Sequence, residues 1–242
     1  MDGTLSPRSS RVGDSMRRAV TAIVPCYNAG DRVAPVVAAL LERVDRVILV
    51  DDGSTDGAIA PLDVSGARVV VFPENRGKGF AMLEGFRAAL EDPSMTFAAI
   101  VDADGQHDAD ELSGLFETAK QQQADLVIGS RTFDLAQVPW TSRVGNKMTA
   151  RITRVLLGRE IPDTQSGYRL HSRRLLEYIL ANVPGGRYET EMAILVAALR
   201  GGFAVVPAPI KTIYEEGNRC SHFNKVRDSY RIYKMLLKAW LR

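Results

Sequence analysis

Cysteine, long apolar runs and net charge are all scarce in this sequence. Its 242 residues include two cysteines, Cys26 and Cys220, which stand in unrelated contexts without Cys-x-x-Cys or Cys/His spacing. This scarcity argues against a disulfide framework and against a structural zinc site. No apolar run approaches the ~18 residues of a membrane-spanning helix, so we expect no such helix. A formal net charge of +2 argues against a surface that is basic overall, and therefore against nucleic acid as a partner.

The first 18 residues lack the apolar centre of a signal peptide. They are rich in Ser, Arg, Gly and Asp, and we expect residues 1–18 to form a disordered leader. With neither a signal peptide nor a spanning helix, and with so few cysteines, the chain is expected to be cytoplasmic. Nothing in the sequence indicates a partner protein.

Short β-branched runs alternate with stretches of helical period along the chain. Such alternation predicts an α/β fold with a mostly parallel, doubly wound sheet and a more helical C-terminal part. Ligands of such sheets bind beyond the carboxyl ends of the strands. We predict buried strands at residues 19–24, 46–50, 68–72, 97–101 and 126–128, and a further extended segment at 203–213. Apolar helical stripes occur at residues 33–44, 112–119, 148–156 and 192–199.

The first two strand ends carry groups that suit a nucleoside. Residues 25–28 read Pro-Cys-Tyr-Asn and lack the Gly-x-Gly-x-x-Gly of a dinucleotide site, but the Tyr and Asn offer an aromatic face and an amide to a base. Asp51 and Asp52 end the second strand, and ionised carboxylates accept hydrogen bonds from a base edge and from ribose hydroxyls. Both stretches also have a structural interpretation, as a Pro-led turn and as an Asp-Gly turn with a helix cap.

The next two strand ends carry groups for phosphate and metal. Lys78 lies in a Gly-bearing entry to a helix, where backbone N–H groups favour anions, although the stretch lacks Walker A spacing and also suits a plain helix start. Asp102 and Asp104 follow the fourth strand, and residues two apart in an extended segment point to the same side. Paired carboxylates suit Mg²⁺ or Mn²⁺, which also bind substrate phosphates. We predict a metal site for a nucleoside diphosphate here, with an ordinary acidic turn as the alternative.

In these motifs the chain resembles the inverting family 2 glycosyltransferases, which have the GT-A fold. Residues 24–28, 50–56 and 75–79 stand where the family places its nucleotide contacts, and Asp102-x-Asp104 resembles its metal and pyrophosphate motif. The resemblance implies a GT-A catalytic domain over residues 19–215, with Mg²⁺ or Mn²⁺ as cofactor.

Three further strings are similar to the dolichyl- or polyprenyl-phosphate sugar transferase branch of that family. They are Asp-Ala-Asp-Gly-Gln-His at residues 102–107, Gly-Ser-Arg at 129–131 and Asp-Thr-Gln-Ser-Gly-Tyr-Arg at 163–169. Two stretches depart from the branch. Ala29 stands where many members carry Glu, and residues 214–222 lack the expected Arg-x-x-Gly-x-Ser-Lys. The second departure weakens the acceptor assignment more than the donor assignment.

The resemblance implies roles for the matched positions. It places the metal at Asp102, Asp104 and Gln106, and it places Arg131 near the transferring sugar or the acceptor phosphate. The amide of Gln165 suits sugar hydroxyls. Contacts with the nucleotide sugar are expected from Pro25, Tyr27, Asn28, Asp51, Asp52, Asn75, Lys78, Asp102, Ala103 and Gln165.

The acceptor decides what the second half of the chain must supply. A hydroxyl needs a carboxylate base, and the resemblance places Glu189 or Glu191 near the donor sugar. A phosphate monoester, with a second pKa near ~6, needs cations and no base. Basic residues for such an acceptor, which also suit a solvated helix face, are Arg131, Arg143, Lys147, Arg151 and Arg169. The expected catalytic residues are Asp104, Arg131 and Glu191, and the expected acceptor-phosphate ligands are Arg131, Arg143 and Arg169.

Residues 216–242 form a basic segment in which apolar and aromatic residues recur at helical spacing. Such a segment can lie in a membrane interface, with an ordinary packed terminal helix as the alternative. It favours a lipid phosphate as acceptor. We therefore expect transfer of a hexose, mannose or glucose, from a GDP- or UDP-sugar to a polyprenyl phosphate at the cytoplasmic membrane face. The alternatives are a hydroxyl of a glycan or glycolipid as acceptor, a module that binds nucleotide sugars without catalysis, and a nucleotidyltransferase.

Overall fold

The computed structural model describes residues 7–57, 59, 66–131, 154, 161, 163–164 and 166–211. Strands and helices alternate along much of this part of the chain. Its strands are β1 (Val20–Cys26), β2 (Arg46–Asp51), β3 (Ala67–Val71), β4 (Phe97–Ile100), β5 (Leu126–Arg131), β6 (Arg169–Ser172) and β7 (Val205–Ile210). Its helices are α1 (Pro7–Ala19), α2 (Val33–Leu41), α3 (Lys78–Leu90), α4 (Glu111–Gln122), α5 (Arg173–Asn182) and α6 (Glu189–Arg200).

The described strands form a seven-stranded sheet in the order β3-β2-β1-β4-β6-β5-β7. β1 pairs in parallel with β2 and β4, and β2 pairs in parallel with β3. β6 runs antiparallel to β4 and β5, whereas β7 is parallel to β5. The predicted α/β fold with a mostly parallel, doubly wound sheet is confirmed. Its order reverses at β1, which leaves a crevice at the carboxyl ends of β1 and β4.

An apolar layer packs on each face of the sheet. Successive side chains of a strand point to opposite faces. Ile23 of β1 therefore packs with α3, α5 and α6, while Ala22 and Val24 pack with α2 and α4. Every residue of β1 is buried, as expected for a central strand covered on both faces. The two layers hold the carboxyl ends of β1, β2 and β4 in place.

The expectation of a disordered leader is wrong for residues 7–18, because these residues form most of α1. Met16 is buried in the layer beside α2. Arg17 donates hydrogen bonds to the carbonyl oxygens of Leu41 and Glu42, and it pairs with Asp45 at 2.6 Å. The carbonyls at the end of α2 thus find donors on α1. The polar composition of residues 1–18 gave no sign of this packing, because the contacts are made by Met16 and Arg17 in the last turns of α1.

Sequence analysis also missed β6 and α5, which follow one another directly. β6 reads Arg-Leu-His-Ser, which has neither a β-branched run nor a clear alternation. It pairs with β4 on one side and with β5 on the other. α5 begins where the Ser172 hydroxyl accepts the backbone N–H of Leu175, which is the N-cap arrangement.

Two predicted segments, the helical stripe at 148–156 and the basic segment at 216–242, lie outside the described residues, apart from residue 154. The longest described helices, α1 and α3, have 13 residues each. Within the described ranges, no helix combines the length and the apolar character needed to cross a membrane.

Candidate functional site

A cleft of about 200 Å³ opens at the carboxyl ends of β1, β2 and β4. Sheets of this topology bind their ligands at this position. The loops after β1, β2, β3 and β4 form the cleft together with the segment before α6. Among the described residues, all the predicted nucleotide-sugar contacts except Asp51 line it. The described lining residues are Pro25, Cys26, Tyr27, Asn28, Ala29, Arg32, Asp52, Asn75, Gly77, Lys78, Ala81, Asp102, Ala103, Asp104, Arg187 and Tyr188.

Hydrogen bonds tie the loop after β1 to the loop after β2. Asn28 adopts the left-handed conformation with a φ of 48°. Its side-chain oxygen accepts the Thr55 N–H at 2.8 Å, and its own N–H donates to Ser54 Oγ at 3.0 Å. Asp51 is buried, accepts the Ser54 N–H at 2.8 Å, and is not among the described lining residues. The Asp51 carboxylate therefore holds the turn that places Asn28, and its contact with a nucleotide stays a prediction.

Asp52 fixes the loop between β3 and α3. Its carboxylate accepts hydrogen bonds from Asn75 Nδ2 at 2.9 Å and from the backbone N–H groups of Arg76 and Gly77, both at 2.8 Å. Burial raises the pKa of Asp52, although the backbone hydrogen bonds and the charge of Arg187 oppose that rise. This role of Asp52 differs from the helix cap that the sequence offered as the structural interpretation of this strand end. Since Asp52 also forms part of the cleft wall, its contact with a base or ribose stays a prediction.

Lys78, the first residue of α3, joins two carboxylates from distant parts of the chain. Its ammonium nitrogen lies 2.6 Å from Oδ1 of Asp102 and 2.9 Å from Oε1 of Glu191. Burial favours neutral lysine, but the two carboxylates outweigh burial and raise the pKa of Lys78. Burial likewise opposes ionisation of Asp102, yet the charges of Lys78 and His107 hold the pKa of Asp102 well below its usual range. Lys78 and Asp102 therefore form an ion pair at neutral pH.

Two glycines allow these charged groups to come together. A Cβ atom at Gly79 would lie 2.6 Å from Cβ of Thr190, so only glycine lets the first turn of α3 approach the first turn of α6. A Cβ atom at Gly167 would lie 2.7 Å from Cγ of Asp102. Real carbon atoms pack no closer than about 3.5 Å. The motif at 163–169 therefore packs directly against the motif that starts at Asp102.

Asp104 shares the cleft with Asp102. Among the described residues its carboxylate accepts the N–H of Gln106 at 3.0 Å and forms no ion pair. Burial, followed by the negative charge of Asp102, raises the pKa of Asp104. Asp102 and Asp104 thus offer two carboxylates to one cleft, whose described lining also contains the cations Arg32, Lys78 and Arg187. Mg²⁺ and Mn²⁺ prefer carboxylate oxygens, so the two aspartates fit the predicted metal.

The two aspartates would supply only part of a metal's coordination shell. Within the described ranges, no group of three or more His, Cys, Asp or Glu side chains could hold a metal ion. Two protein oxygens leave positions for water and for substrate phosphates, as is usual for Mg²⁺. Gln106 positions Asp104 through its backbone and is not among the described lining residues. Its side chain as a metal ligand stays a prediction.

Arg131, at the end of β5, is held by Asp163. Its Nε and Nη2 atoms donate to the two carboxylate oxygens of Asp163 at 2.6 Å and 3.0 Å. The Asp163 side chain is fully buried, whereas that of Arg131 is 25% exposed. This bidentate pair fixes the end of β5 to the motif at 163–169. Because Arg131 is not among the described lining residues, its contact with the sugar or acceptor phosphate stays a prediction.

Arg169 lies in the interior of the protein and is 1% exposed. Its guanidinium donates to the carbonyl oxygens of Ser166 at 2.8 Å, Thr164 at 2.7 Å and Glu191 at 2.8 Å. The prediction that Arg169 holds an acceptor phosphate is therefore wrong, because its donors bind the backbone of two neighbouring segments. The remaining predicted residues of the second half, Arg143, Lys147, Arg151 and Gln165, lie outside the described residues.

Among the lining residues that sequence analysis did not predict, three have long polar side chains, namely Arg32, Arg187 and Tyr188. Arg187 follows Pro-Gly-Gly and precedes α6. A Cβ atom at Gly77 would lie 2.7 Å from Cγ of Arg187, so the Arg187 stem rests on the entry to α3. These residues reach the cleft by packing across the fold, which no local spacing reveals. The Pro-Gly-Gly turn before a predicted helix was the signal that could have drawn attention to Arg187.

Comparison with known proteins identifies close matches in sequence and fold. The model for "Glycosyl transferase family 2" matches residues 21–180. The UDP-N-acetylglucosamine--dolichyl-phosphate N-acetylglucosaminyltransferase of Methanococcus voltae is 30% identical over 239 residues, covering 89% of this chain and 93% of the relative. Polyprenol monophosphomannose synthase of Mycolicibacterium smegmatis is 34% identical over 200 residues, covering 78% of this chain and 75% of the relative.

The fold is similar to that of glucosyl-3-phosphoglycerate synthase from Mycobacterium tuberculosis. One crystal structure of that protein, with phosphoglyceric acid, matches at a TM-score of 0.71 and 22% identity, covering 99% of this chain and 85% of the other. Another, with Mn²⁺, UDP and phosphoglyceric acid, matches at a TM-score of 0.70 and 19% identity, covering 99% of this chain and 84% of the other. The GT-A fold implied by the resemblance is thereby confirmed, and at this identity the likeness concerns the fold alone.

Proposed function

This chain belongs to glycosyl transferase family 2, and from that premise we propose that it moves a hexose, with inversion, from GDP-mannose or UDP-glucose to a polyprenyl phosphate. Both relatives are named for a polyprenyl-type lipid phosphate, whereas the sugars in their names differ. The relatives therefore support the acceptor class more strongly than the sugar. The alternative is a hydroxyl acceptor on a glycan or glycolipid.

The observation that carries this proposal is the placement of Asp102 and Asp104 on one cleft. These two residues would hold Mg²⁺ or Mn²⁺, which when bound would neutralise the charge that develops on the diphosphate leaving group. The neighbouring wall offers the aromatic ring of Tyr27 and the amide of Asn28 to the nucleoside. The ammonium of Lys78 lies in the same cleft and suits a phosphate oxygen.

A phosphate acceptor suits these residues better than a hydroxyl acceptor. A phosphate monoester, with a second pKa near ~6, is mostly dianionic at pH 7 and attacks without a base. Glu191, a candidate base, is bound to the Lys78 ammonium and lies outside the described cleft lining. If the acceptor is a hydroxyl, Glu189 is the other candidate base, although it too lies outside the described cleft lining.

Matched acceptors distinguish the two possibilities. The purified chain is incubated with GDP-mannose, UDP-glucose or UDP-N-acetylglucosamine, with Mg²⁺ or Mn²⁺, and with either undecaprenyl phosphate or undecaprenol. Mass spectrometry then identifies the lipid product. We expect a glycosylated lipid phosphate with one donor and no product from the alcohol.

Other products would contradict this proposal in different ways. Transfer to undecaprenol or to a glycan hydroxyl alone would establish the hydroxyl acceptor. Donor binding without turnover on any acceptor would indicate a binding module. Release of pyrophosphate from a nucleoside triphosphate supplied with a sugar 1-phosphate, without transfer from any nucleotide sugar, would indicate a nucleotidyltransferase.

We also propose that residues 216–242 bring the enzyme to the cytoplasmic membrane face through their basic and aromatic side chains. Sedimentation with phosphatidylcholine vesicles, with and without phosphatidylglycerol, tests this contact. Binding that requires the anionic lipid and weakens with salt is expected. Equal recovery in the supernatant with both vesicle types would contradict the proposal.

A further inference from the structure

The two carboxylates that contact Lys78 differ in their relation to the cleft. Asp102 lines the cleft and has a side chain that is 25% exposed. Glu191 is not among the described lining residues, and its side chain is 10% exposed. Glu191 therefore reaches the ammonium from the α6 side, away from where a substrate would enter.

We propose that Glu191 is a positioning residue that holds the Lys78 ammonium where it meets the diphosphate of the nucleotide sugar. This inference rests on the proposed function for the identity of the ligand. It replaces the expected role of Glu191 as a base with an indirect role, in which Glu191 acts through Lys78.

The hydrogen-bonding capacity of Lys78 supports this role. A lysine ammonium has three N–H donors. Asp102 and Glu191 together occupy two of them, which leaves one for an oxygen of a ligand in the cleft. The lysine side chain is a flexible four-carbon stem, so an ammonium held by Asp102 alone would sample more orientations. Glu191 thus limits the ammonium to one position.

Glu191 is itself held rigidly. Its carbonyl oxygen accepts a hydrogen bond from Nη1 of the buried Arg169 at 2.8 Å. The preceding residue, Thr190, is 1% exposed and packs against Gly79, the residue after Lys78. The first turns of α3 and α6 are therefore locked together, and the carboxylate is anchored to a fixed backbone. A fixed anchor is what a positioning residue needs.

Nucleotide binding tests this proposal without a lipid acceptor. Calorimetry measures the Kd values of UDP and UMP, and of GDP and GMP, in Mg²⁺ for the wild type, Glu191→Gln, Lys78→Met and the double variant. We expect Glu191→Gln to weaken diphosphate binding about tenfold and to leave monophosphate binding nearly unchanged, because a charge-assisted contact is lost. In the Lys78→Met background, Glu191→Gln should have no further effect. Glu177→Gln, which removes an exposed glutamate paired with Arg173 on α5, is the matched control and should bind like the wild type.

Kinetics provide the second readout. Glu191→Gln should raise the KM of the donor while kcat and the KM of the acceptor stay near wild-type values. A collapse of kcat at unchanged donor KM would instead identify Glu191 as the base and overturn the proposal. Additive losses in the double variant, or unchanged UDP and GDP binding, would also overturn it.

Folding of each variant is checked by thermal unfolding. If Glu191→Gln does not fold, Glu191→Asp, which keeps the charge but shortens the side chain by one methylene, must show the same selective loss of diphosphate affinity. A Glu191→Asp protein with wild-type affinity would overturn the proposal. If the wild type forms no lipid product while Glu191→Gln still weakens diphosphate binding, the proposed acceptor fails and the positioning role stands.

Discussion

Replacing Gly167 with Ala places a methyl group against the carboxylate of Asp102. The added Cβ would lie 2.7 Å from Cγ of Asp102, whereas carbon atoms pack at about 3.5 Å or more. The carboxylate must therefore move by roughly 1 Å, which disrupts its 2.6 Å contact with Lys78. A displacement of about 1 Å at a reacting site costs about 100-fold in rate. Overpacking should also lower the free energy of unfolding by about 1–3 kcal/mol.

The assay for Gly167→Ala is kcat/KM for the donor, measured together with urea unfolding. Gly114→Ala is the matched control, because Gly114 lies on the exposed face of α4 with no heavy atom within 4 Å of the added Cβ. That control should keep full activity and gain up to about 1 kcal/mol of stability, since alanine favours a helix. Wild-type kcat/KM in Gly167→Ala would refute the close approach of residue 167 to Asp102.

Two further predictions concern the interior beside the site. Arg169→Met leaves three carbonyl oxygens without their donors. Urea unfolding should show that the free energy of unfolding falls by about 3 kcal/mol or more. A raised acceptor KM at unchanged stability would restore the predicted phosphate role of Arg169. Burial, followed by the charge of Arg169, lowers the pKa of His171 from 6.5 to about 3, so the folded state binds fewer protons than the unfolded state between those values. The free energy of unfolding of the wild type should therefore fall by about 2 kcal/mol between pH 7 and pH 5, and that of His171→Asn should not show this fall. Urea unfolding at the two pH values measures both proteins, and equal changes with pH would contradict the prediction.

Features that depend on neighbouring residues could be predicted from the sequence. β1 and β2 are recognisable because a strand buried on both faces is apolar throughout. Asp102 and Asp104 share the cleft, as predicted, because both lie directly after β4, at the carboxyl edge of the sheet. The family and the GT-A fold followed from these strand ends in order, and the comparisons confirm both.

Features that depend on distant contacts could not be predicted. Lys78 and Glu191 are 113 positions apart, and their contact requires α3 and α6 to meet. Arg169 resembles a surface cation in the sequence, but its burial follows from β6, which pairs on both sides. Asp52 belongs to a motif that suits a nucleoside, yet its hydrogen bonds to the loop before α3 appear only in the fold. In each case a polar residue has a partner in a distant segment, which its neighbours in the sequence do not reveal.

Nucleotide binding with and without a divalent cation tests most directly whether Asp102 and Asp104 form a metal site. UDP and GDP are titrated into the wild type and into Asp104→Asn, in Mg²⁺ and in EDTA. Asp104→Asn should fold, because it removes a carboxylate whose pKa is raised by burial. The wild type should bind one diphosphate at least about tenfold more tightly in Mg²⁺, and Asp104→Asn should lose that enhancement. Equal affinities of the wild type in Mg²⁺ and EDTA, or full enhancement in Asp104→Asn, would contradict a metal site in this cleft.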